Sequence, residues 1–256
     1  MSDTRTLKIL SANIQAGSST KGYHDYVARS WSHVLPMGGK QSKLDTIAQL
    51  LSSYDIVGLN EADPGSLRSG FRNQTHYLAE RAGFEHWSHQ PNRSVGGVAS
   101  SANGLLSRFG PRKVNIHPLP GRIAGRGLLI ANFGDGVSGL HVAVCHLSLG
   151  AQSRAAQLAF IAEHLRDLPN VVLMGDFNCV VDRPEMHLLF DRTGLRAPSS
   201  DPVFTFPSWR PQKAIDHILV SPSLAASNLH AMPAAFSDHL AIALDLEVPS
   251  EALTGA

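Results

Sequence analysis

The sequence predicts an α/β fold in which mixed β-sheets form a two-layered core with helices outside it. Three observations predict it. Short apolar, β-branched runs recur along the whole chain, helical periodicities fall between them, and one pair of runs is joined tightly enough to require a hairpin. The runs read as strands are Leu7 to Ile14, Asp55 to Leu59, Gly104 to Leu106, Gly127 to Ala131, Gly139 to His146, Val171 to Met174, Ala214 to Val220 and Leu240 to Leu246. The segment Phe133-Gly134-Asp135-Gly136, followed by Gly139, is a hairpin connection, and an antiparallel pair does not belong in a purely doubly wound βαβ sheet.

Helices are predicted where apolar residues return on one face. Between Ser42 and Ser52 these are Leu44, Ile47, Leu50 and Leu51; between Ser153 and Leu168 they are Leu158, Ile161, Ala162 and Leu165, with Pro169-Asn170 as the stop. A weaker pattern runs from Asn73 to Ala82 and ends at Gly83. Two long polar stretches, Gln15 to Lys43 and Arg192 to Lys213, interrupt the elements, and Trp31 and Trp209 predict that both pack; loops of this length are often functional.

Composition narrows the class. The chain has 256 residues, 43% of them hydrophobic, enough for a substantial core within a single domain spanning 1–256, with its core at about 7–247. Lys+Arg 22 against Asp+Glu 21 leaves a formal charge of +1, which excludes a general positive field for gripping long nucleic acid. No secretory leader is read in Met1 to Lys8, no apolar run is long enough to span a membrane, and two Cys are too few for a disulfide framework or zinc cluster. A cytoplasmic protein with no stable protein partner and no transmembrane segment is expected.

The functional signal lies at the strand ends. Asn13 sits in the first strand, and Asn60-Glu61-Ala62-Asp63 follows the second. Cys145-His146 ends another, Gly175-Asp176-Phe177-Asn178 a further one, and Ile215-Asp216-His217 and Ser237-Asp238-His239 open two more. A carboxylate set against an apolar strand must be paired, hydrogen-bonded or metal-bound, because an unpaired buried charge is costly. The donors Glu61, Asp176, Asp216, Asp238, Asn13 and Asn178, joined by His146 and His239, are rich in oxygen and hold no thiolate pair, which suits Mg²⁺, or Mn²⁺ as a substitute, better than Zn²⁺. A hard cation beside imidazoles is suited to phosphoryl chemistry. For any single segment a plain turn is the competing explanation, and an Asp-His pair can be a local hydrogen bond; the six together point to a site.

These motifs, in this order from Asn13 to His239, resemble the endonuclease/exonuclease/phosphatase superfamily, which includes DNase I-like nucleases, apurinic endonucleases, neutral sphingomyelinases and inositol-polyphosphate 5-phosphatases. The resemblance implies a four-layer α/β-sandwich with two central mixed β-sheets flanked by helices. It implies that Glu61, with Asp238 and Asn13 assisting, holds the metal, although Asn60 stands where relatives carry Gln. It implies that His239, supported by Asp216, generates or positions the attacking hydroxide, with Asp176 the rival for that role. Asn178, His146 and Arg126 would stabilise the charge growing on the phosphate oxygens. Asn103, Leu106, Ser107 and Arg108 match a further segment, with Ala102 in place of its leading Gly.

The implied activity is hydrolysis of a phosphodiester by in-line attack of activated water. Nucleic acid stands first as substrate, with a phospholipid or sphingomyelin-type diester or a phosphomonoester as alternatives, and a non-catalytic binding module as the outlier. Arg68, Arg72, Arg93, Arg108 and Arg122 could form a small basic rim, and the aromatics of Tyr23 to Leu35 and of Thr205 to Trp209 could frame the mouth. His217 is placed equally well in the site or in the packing. Cys145 and Cys179 read as small hydrophobes, and Asp182, Arg183 and Glu185 as a solvated face.

Overall fold

In a computed structural model of the chain, residues 3–15, 39–95, 99–121, 125–134, 139–235 and 237–253 are described. Eleven strands and four helices alternate among them in the order β1 (Thr4–Asn13), α1 (Gly39–Leu51), β2 (Ile56–Ala62), α2 (Gln74–Ala82), β3 (His86–Val95), β4 (Ala99–Ser107), β5 (Lys113–Pro118), β6 (Gly127–Phe133), β7 (Leu140–His146), α3 (Ala151–Leu165), β8 (Asn170–Asp176), α4 (Pro184–Thr193), β9 (Asp216–Val220), β10 (Ala225–Ala235) and β11 (Leu240–Pro249). They form a six-stranded sheet, β10-β11-β1-β2-β4-β3, and a five-stranded sheet, β5-β6-β7-β8-β9. Each sheet is mixed and contains one parallel pair, β1 with β2 across α1 and β7 with β8 across α3. The expected hairpin pairs β6 with β7 antiparallel, Phe133 opposite Leu140.

Alternation along the strands sorts the apolar residues into three cores. Leu7, Ile9, Ile56, Leu129, Val142, Val172, Ile218 and Leu244 meet between the sheets. On the outside of the first sheet, Leu10, Val57 and Leu106 pack on Leu44 and Ile47 of α1 and Leu78 of α2. On the outside of the second, Leu128, Ala143 and Leu173 pack on Leu158 and Ile161 of α3 and Met186 and Leu189 of α4. The four layers are therefore helices, sheet, sheet, helices, the DNase I-like α/β-sandwich that the resemblance implied.

Three strands and one helix carry no clear sequence signal. Helix α4 has Pro184 at its start and Gly194 in left-handed conformation at its end, and its Glu185 does not belong to a solvated face. The Glu185 carboxylate is buried against the Arg154 guanidinium at 2.8 Å and joins α4 to α3, because the apolar packing of Met186 and Leu189 draws the first turn inward. Asp182 and Arg183 are exposed, as expected. Trp209 is 38% exposed instead of packed. The segment 16–38, with Tyr23, Tyr26 and Trp31, lies outside the described residues.

Candidate metal-dependent active site

The parity that builds the core also builds the site. Residues 7 and 9 of β1 point between the sheets, and two further steps of the same alternation reach Asn13. The same count leads from Ile56 to Asn60, from Leu105 to Asn103, from Val144 to His146, from Met174 to Asp176 and from Ile218 to Asp216. Six strands thus end their inner, apolar face in a polar side chain at the same end of the sandwich, and all six of these residues are buried.

Asn60 joins the two sheets there. Its Oδ1 accepts from the backbone N–H of Asp176 at 2.8 Å, and its Nδ2 donates to Asn103 Oδ1 at 3.0 Å and to the Cys145 carbonyl at 3.1 Å. Asn103 in turn donates to the Gly127 carbonyl at 2.9 Å. Beside it, Gly175 has φ 140° and packs so closely that a Cβ would lie 1.9 Å from the Cys145 carbonyl oxygen. Only glycine permits that approach. The shorter Asn in place of Gln therefore makes the sheet-to-sheet contact directly.

Asp176 is the hub of the site. Its Oδ1 accepts from the Asn178 N–H at 2.9 Å, while Oδ2 faces Asn13 Nδ2 at 3.4 Å, His146 Nε2 at 3.4 Å and His239 Nε2 at 3.9 Å. Burial alone would raise its pKa, but the hydrogen bond and charge of His146, the charge of His239 and the Asn178 N–H hold it down at about 2. Asp216 is closed off by comparison. Its Oδ2 accepts from His239 Nδ1 at 2.8 Å and from the Thr205 hydroxyl, and burial pushes its pKa up against the pull of both. For His239, burial acts downward, but the Asp216 carboxylate, then Asp176 and Asp238, raise the imidazole to about 10.

Glu61, inside β2, and Asn178, just after β8, are in left-handed backbone, φ 58° and 53°, and β2 is bulged between Leu59 and Ala62. The bulge re-aims Glu61, which would otherwise point out of the sheet, toward the site. Its Oε1 lies 3.9 Å from His146 Nε2. Burial pushes Asp238 up against the pull of the His239 charge, and the Glu61 charge adds a smaller push in the same direction. Arg126 lies against His146, Nη1 2.7 Å from both ring nitrogens, and Asn178 Nδ2 donates to the Leu147 carbonyl at 2.9 Å.

The sequence-predicted residues Asn13, His146, Arg126, Asp176, Asn178, Asp216 and His239 converge, with Glu61 and Asp238 adjoining. Not all expectations do. His217, on the opposite face of β9, packs: its Nε2 bonds the Cys179 carbonyl at 2.8 Å and its ring meets the edge of Phe177. Arg108 leaves the basic rim altogether, its guanidinium bonding the carbonyls of Ser52, Tyr54 and Gly83 at the far end of the sandwich. Arg72 bonds Gln41 and lies over the Tyr77 ring. Arg122 and the side chains of Arg68 and Arg93 lie outside the described residues. Cys145 and Cys179 are buried and free, their thiols pushed up by burial.

Sequence reasoning read the aromatics of Thr205 to Trp209 as able to frame the mouth, but it gave Thr205 no role and Phe206 no contact with His239. Thr205 is fully buried against Asp216, and the Phe206 ring packs on His239, centroids 4.9 Å apart. Backbone bonds from Leu240 N to the Thr205 carbonyl and from Ser208 N to the Asp238 carbonyl clamp this loop to the Ser237-Asp238-His239 turn. Nothing local marks Thr205; its partner is eleven residues away across a loop.

Among the described residues, Asp176, Asp216 and His239 each offer a ligand atom within 4.8 Å of the others, a buried cluster positioned to hold a divalent cation. The surrounding donors, carboxylate and amide oxygens with two imidazoles and no thiolate, fit Mg²⁺ or Mn²⁺.

The chain belongs to the endonuclease/exonuclease/phosphatase family, whose model matches residues 10–239. It is similar in structure to a family protein from Bacteroides thetaiotaomicron, with TM-score 0.71 and 17% identity over 98% of both chains. Another similar structure, from Beutenbergia cavernae, has TM-score 0.70 and 22% identity over 95% of this chain and 72% of that one. A mannosyl-6-phosphatase of Bacteroides thetaiotaomicron VPI-5482 has TM-score 0.67 and 16% identity over 94% of this chain and 99% of that one. No curated protein matches. The family fold and the buried Asp/Asp/His cluster together are those of a metal-dependent hydrolase acting on phosphoester bonds.

Proposed function

We propose that the protein hydrolyses a phosphodiester by in-line attack of a water activated at the inner end of the sandwich. The observation that carries this reading is the convergence of Asn13, His146 and His239 on Asp176 Oδ2 at 3.4–3.9 Å, beside the buried cluster of Asp176, Asp216 and His239. Glu61 and Asp238, with Asn13, would hold Mg²⁺ beside the buried cluster; the cation supplies charge neutralisation at the phosphate oxygens. The repulsion between Glu61 and Asp238 supports that assignment, because a shared cation relieves it.

The remaining steps belong to side chains on the chain. Asp216 anchors His239 through Nδ1, so that Nε2 faces the site, and Thr205 fixes Asp216 in turn. Asp176 accepts the proton of the attacking water, with His239 Nε2 positioned to orient the same water. Asn178 Nδ2, His146 and the Arg126 guanidinium meet the charge that grows on the non-bridging oxygens. Their geometry is fixed before substrate arrives, since His146 and Asp176 are buried and hydrogen-bonded. The two buried free thiols support a reducing, cytoplasmic location.

A phosphomonoesterase is the second reading, supported by the occupied guanidinium groups of Arg72 and Arg108, which leave less basic surface for a nucleic-acid backbone. Initial rates with Mg²⁺, Mn²⁺ or EDTA test both. The substrates are single-stranded and duplex DNA, RNA, bis-p-nitrophenyl phosphate, p-nitrophenyl phosphate, sphingomyelin and phosphoinositides, with Glu61→Ala and His239→Ala run in parallel. Cleavage of a diester that needs metal and is lost in both variants is expected. Turnover of p-nitrophenyl phosphate alone would establish the second reading, and equal rates in EDTA would overturn both.

A further inference from the structure

Strand β9 is an edge of the five-stranded sheet, and a cavity of about 320 Å³ lies between it and the segment 197–204. The walls include Ala197, Val203, Ile218, Leu229 and Ile242, and the exposed Val180 and Phe204 stand at the mouth. The cavity ends against Asp216, behind the catalytic pair. Apolar walls with a carboxylate at the back do not suit a phosphate ester, so the cavity is not an arm of the site in front of it.

The edge of β9 carries backbone groups that the fold leaves unpaired. Along an antiparallel strand, successive residues turn their N–H and C=O alternately toward the neighbouring strand and away from it. Ile215 faces β8, its carbonyl accepting from the Phe177 N–H at 2.9 Å, so Asp216, Ile218 and Val220 face the edge. Val220 is paired there: its N–H donates to the Arg196 carbonyl at 2.9 Å, and its carbonyl accepts from the Arg196 N–H at 3.0 Å. The next partner in that register, opposite Ile218, would be Pro198. Proline has no N–H, and the ladder stops. Among the described residues nothing bonds the N–H or the carbonyl of Ile218, although Ile218 is buried. Buried backbone groups are nearly always paired, and these two belong to a residue that lines the cavity.

The cavity and the interrupted ladder define one complement. Ile218 offers a donor and an acceptor side by side, and apolar side chains surround them. An extended residue between two amides presents an N–H and a C=O to one side in the matching order, and a side chain of leucine size suits a cavity this small.

We propose that this cavity is a second binding site, for a compact, uncharged apolar molecule carrying a secondary amide, which lies beside Ile218 as the next rung of the sheet. The N–H of the ligand donates to the Ile218 carbonyl, its carbonyl accepts from the Ile218 N–H, and its apolar part packs on Val203, Leu229 and Ile242. The main-chain bonds supply affinity and the walls select size. Ile218 and Asp216 are two residues apart on the same side of β9, and Asp216 Oδ2 holds His239 Nδ1 at 2.8 Å. Occupancy of the cavity is therefore felt at the His239 imidazole.

Titration of the full chain with N-acetyl-leucine methylamide, followed by NMR of the backbone amides and histidine rings, tests this without any turnover. A saturable shift of the Ile218 amide is expected, with a parallel shift of the His239 imidazole. The analogue with an ester oxygen in place of the leucine N–H is expected to bind about tenfold more weakly, since it leaves the Ile218 carbonyl unpaired. Ala197→Phe, which fills the cavity, is expected to abolish binding, with thermal melts to verify its fold. No saturable shift at Ile218, or equal affinity for the amide and the ester, would overturn the site; the ester comparison is made on the wild type and stands even where Ala197→Phe does not fold. Undiminished binding to folded Ala197→Phe would place the molecule elsewhere and overturn it too. A response at Ile218 that leaves His239 unmoved would keep the site and overturn its coupling to the catalytic pair.

Discussion

The site holds two acid–imidazole arrangements a few ångströms apart, and they differ in what they leave free. Around Asp216 every contact is short and closed: one imidazole nitrogen at 2.8 Å, one hydroxyl, and a phenyl ring over the imidazole. Around Asp176 the side-chain contacts are long, 3.4–3.9 Å, and only the backbone bond from Asn178 is tight. Burial pushes Asp216 up, whereas two imidazoles and a backbone N–H hold Asp176 at about 2. In the proposed mechanism the same two residue types make a positioning device in one place and a reactive group in the other. The difference lies in whether the hydrogen-bonding capacity of the carboxylate is filled by the protein.

The largest effect that sharpens this contrast is expected at Asp176. Asp176→Asn should lower kcat/KM for a phosphodiester by about 10³- to 10⁴-fold, since it removes an always-ionised carboxylate from the reacting groups. Asp216→Asn should cost less, about 10²- to 10³-fold, because His239 keeps its place but loses the charge that holds it. Steady-state rates of the two variants, with circular dichroism to verify folding, check the order; the reverse order would exchange the two assignments.

The pH dependence of stability carries a third test. Because His239 is raised above its unfolded value, its contribution to the stability of the metal-free protein is complete below about 6.5 and is lost as pH rises through about 10. Thermal melts in EDTA between those limits should show the decline, and Asp216→Asn should flatten it.

Two smaller effects set the site apart from the scaffold. Glu61→Gly should abolish activity yet stabilise the metal-free fold by about 1 kcal/mol, by relieving left-handed strain at a non-glycine residue and repulsion with Asp238. Glu185→Ala should do the opposite, costing about 3 kcal/mol by stranding the buried Arg154 guanidinium while changing the rate little. Denaturant titrations of both variants measure these.

Central strands were legible in the sequence because they are buried on two faces, and runs such as Val171 to Met174 follow directly from that. The three strands without a signal, β3, β5 and β10, are all sheet edges. Edge positions tolerate Pro91, Pro118 and Pro233 and the polar residues around them, so neither alternation nor β-branching marks them. Helix α4 had start and stop residues but only Met186 and Leu189 fully buried, too little for a periodicity. The catalytic groups were legible for the reason the core was. Asn13, His146, Asp176 and Asp216 each continue an inner strand face, and a carboxylate in that register has no structural excuse. The contacts of Thr205 with Asp216 and of Phe206 with His239 were hidden, although the loop itself was singled out for its aromatics, because these partners are distant in sequence and the loop has no period. Asp63, two residues beyond Glu61 in the same flagged segment, is a buried acid whose carboxylate is filled by Gly65, Ser66 and Ser69, a structural role that the segment alone did not reveal.

The most direct test of the account is the Mg²⁺ dependence of bis-p-nitrophenyl phosphate hydrolysis by wild type and Asp176→Asn at matched protein concentration. A saturable, EDTA-reversible rate in wild type that falls at least about 10³-fold in the variant is predicted. A rate indifferent to Mg²⁺, or one that survives the loss of Asp176, would contradict it.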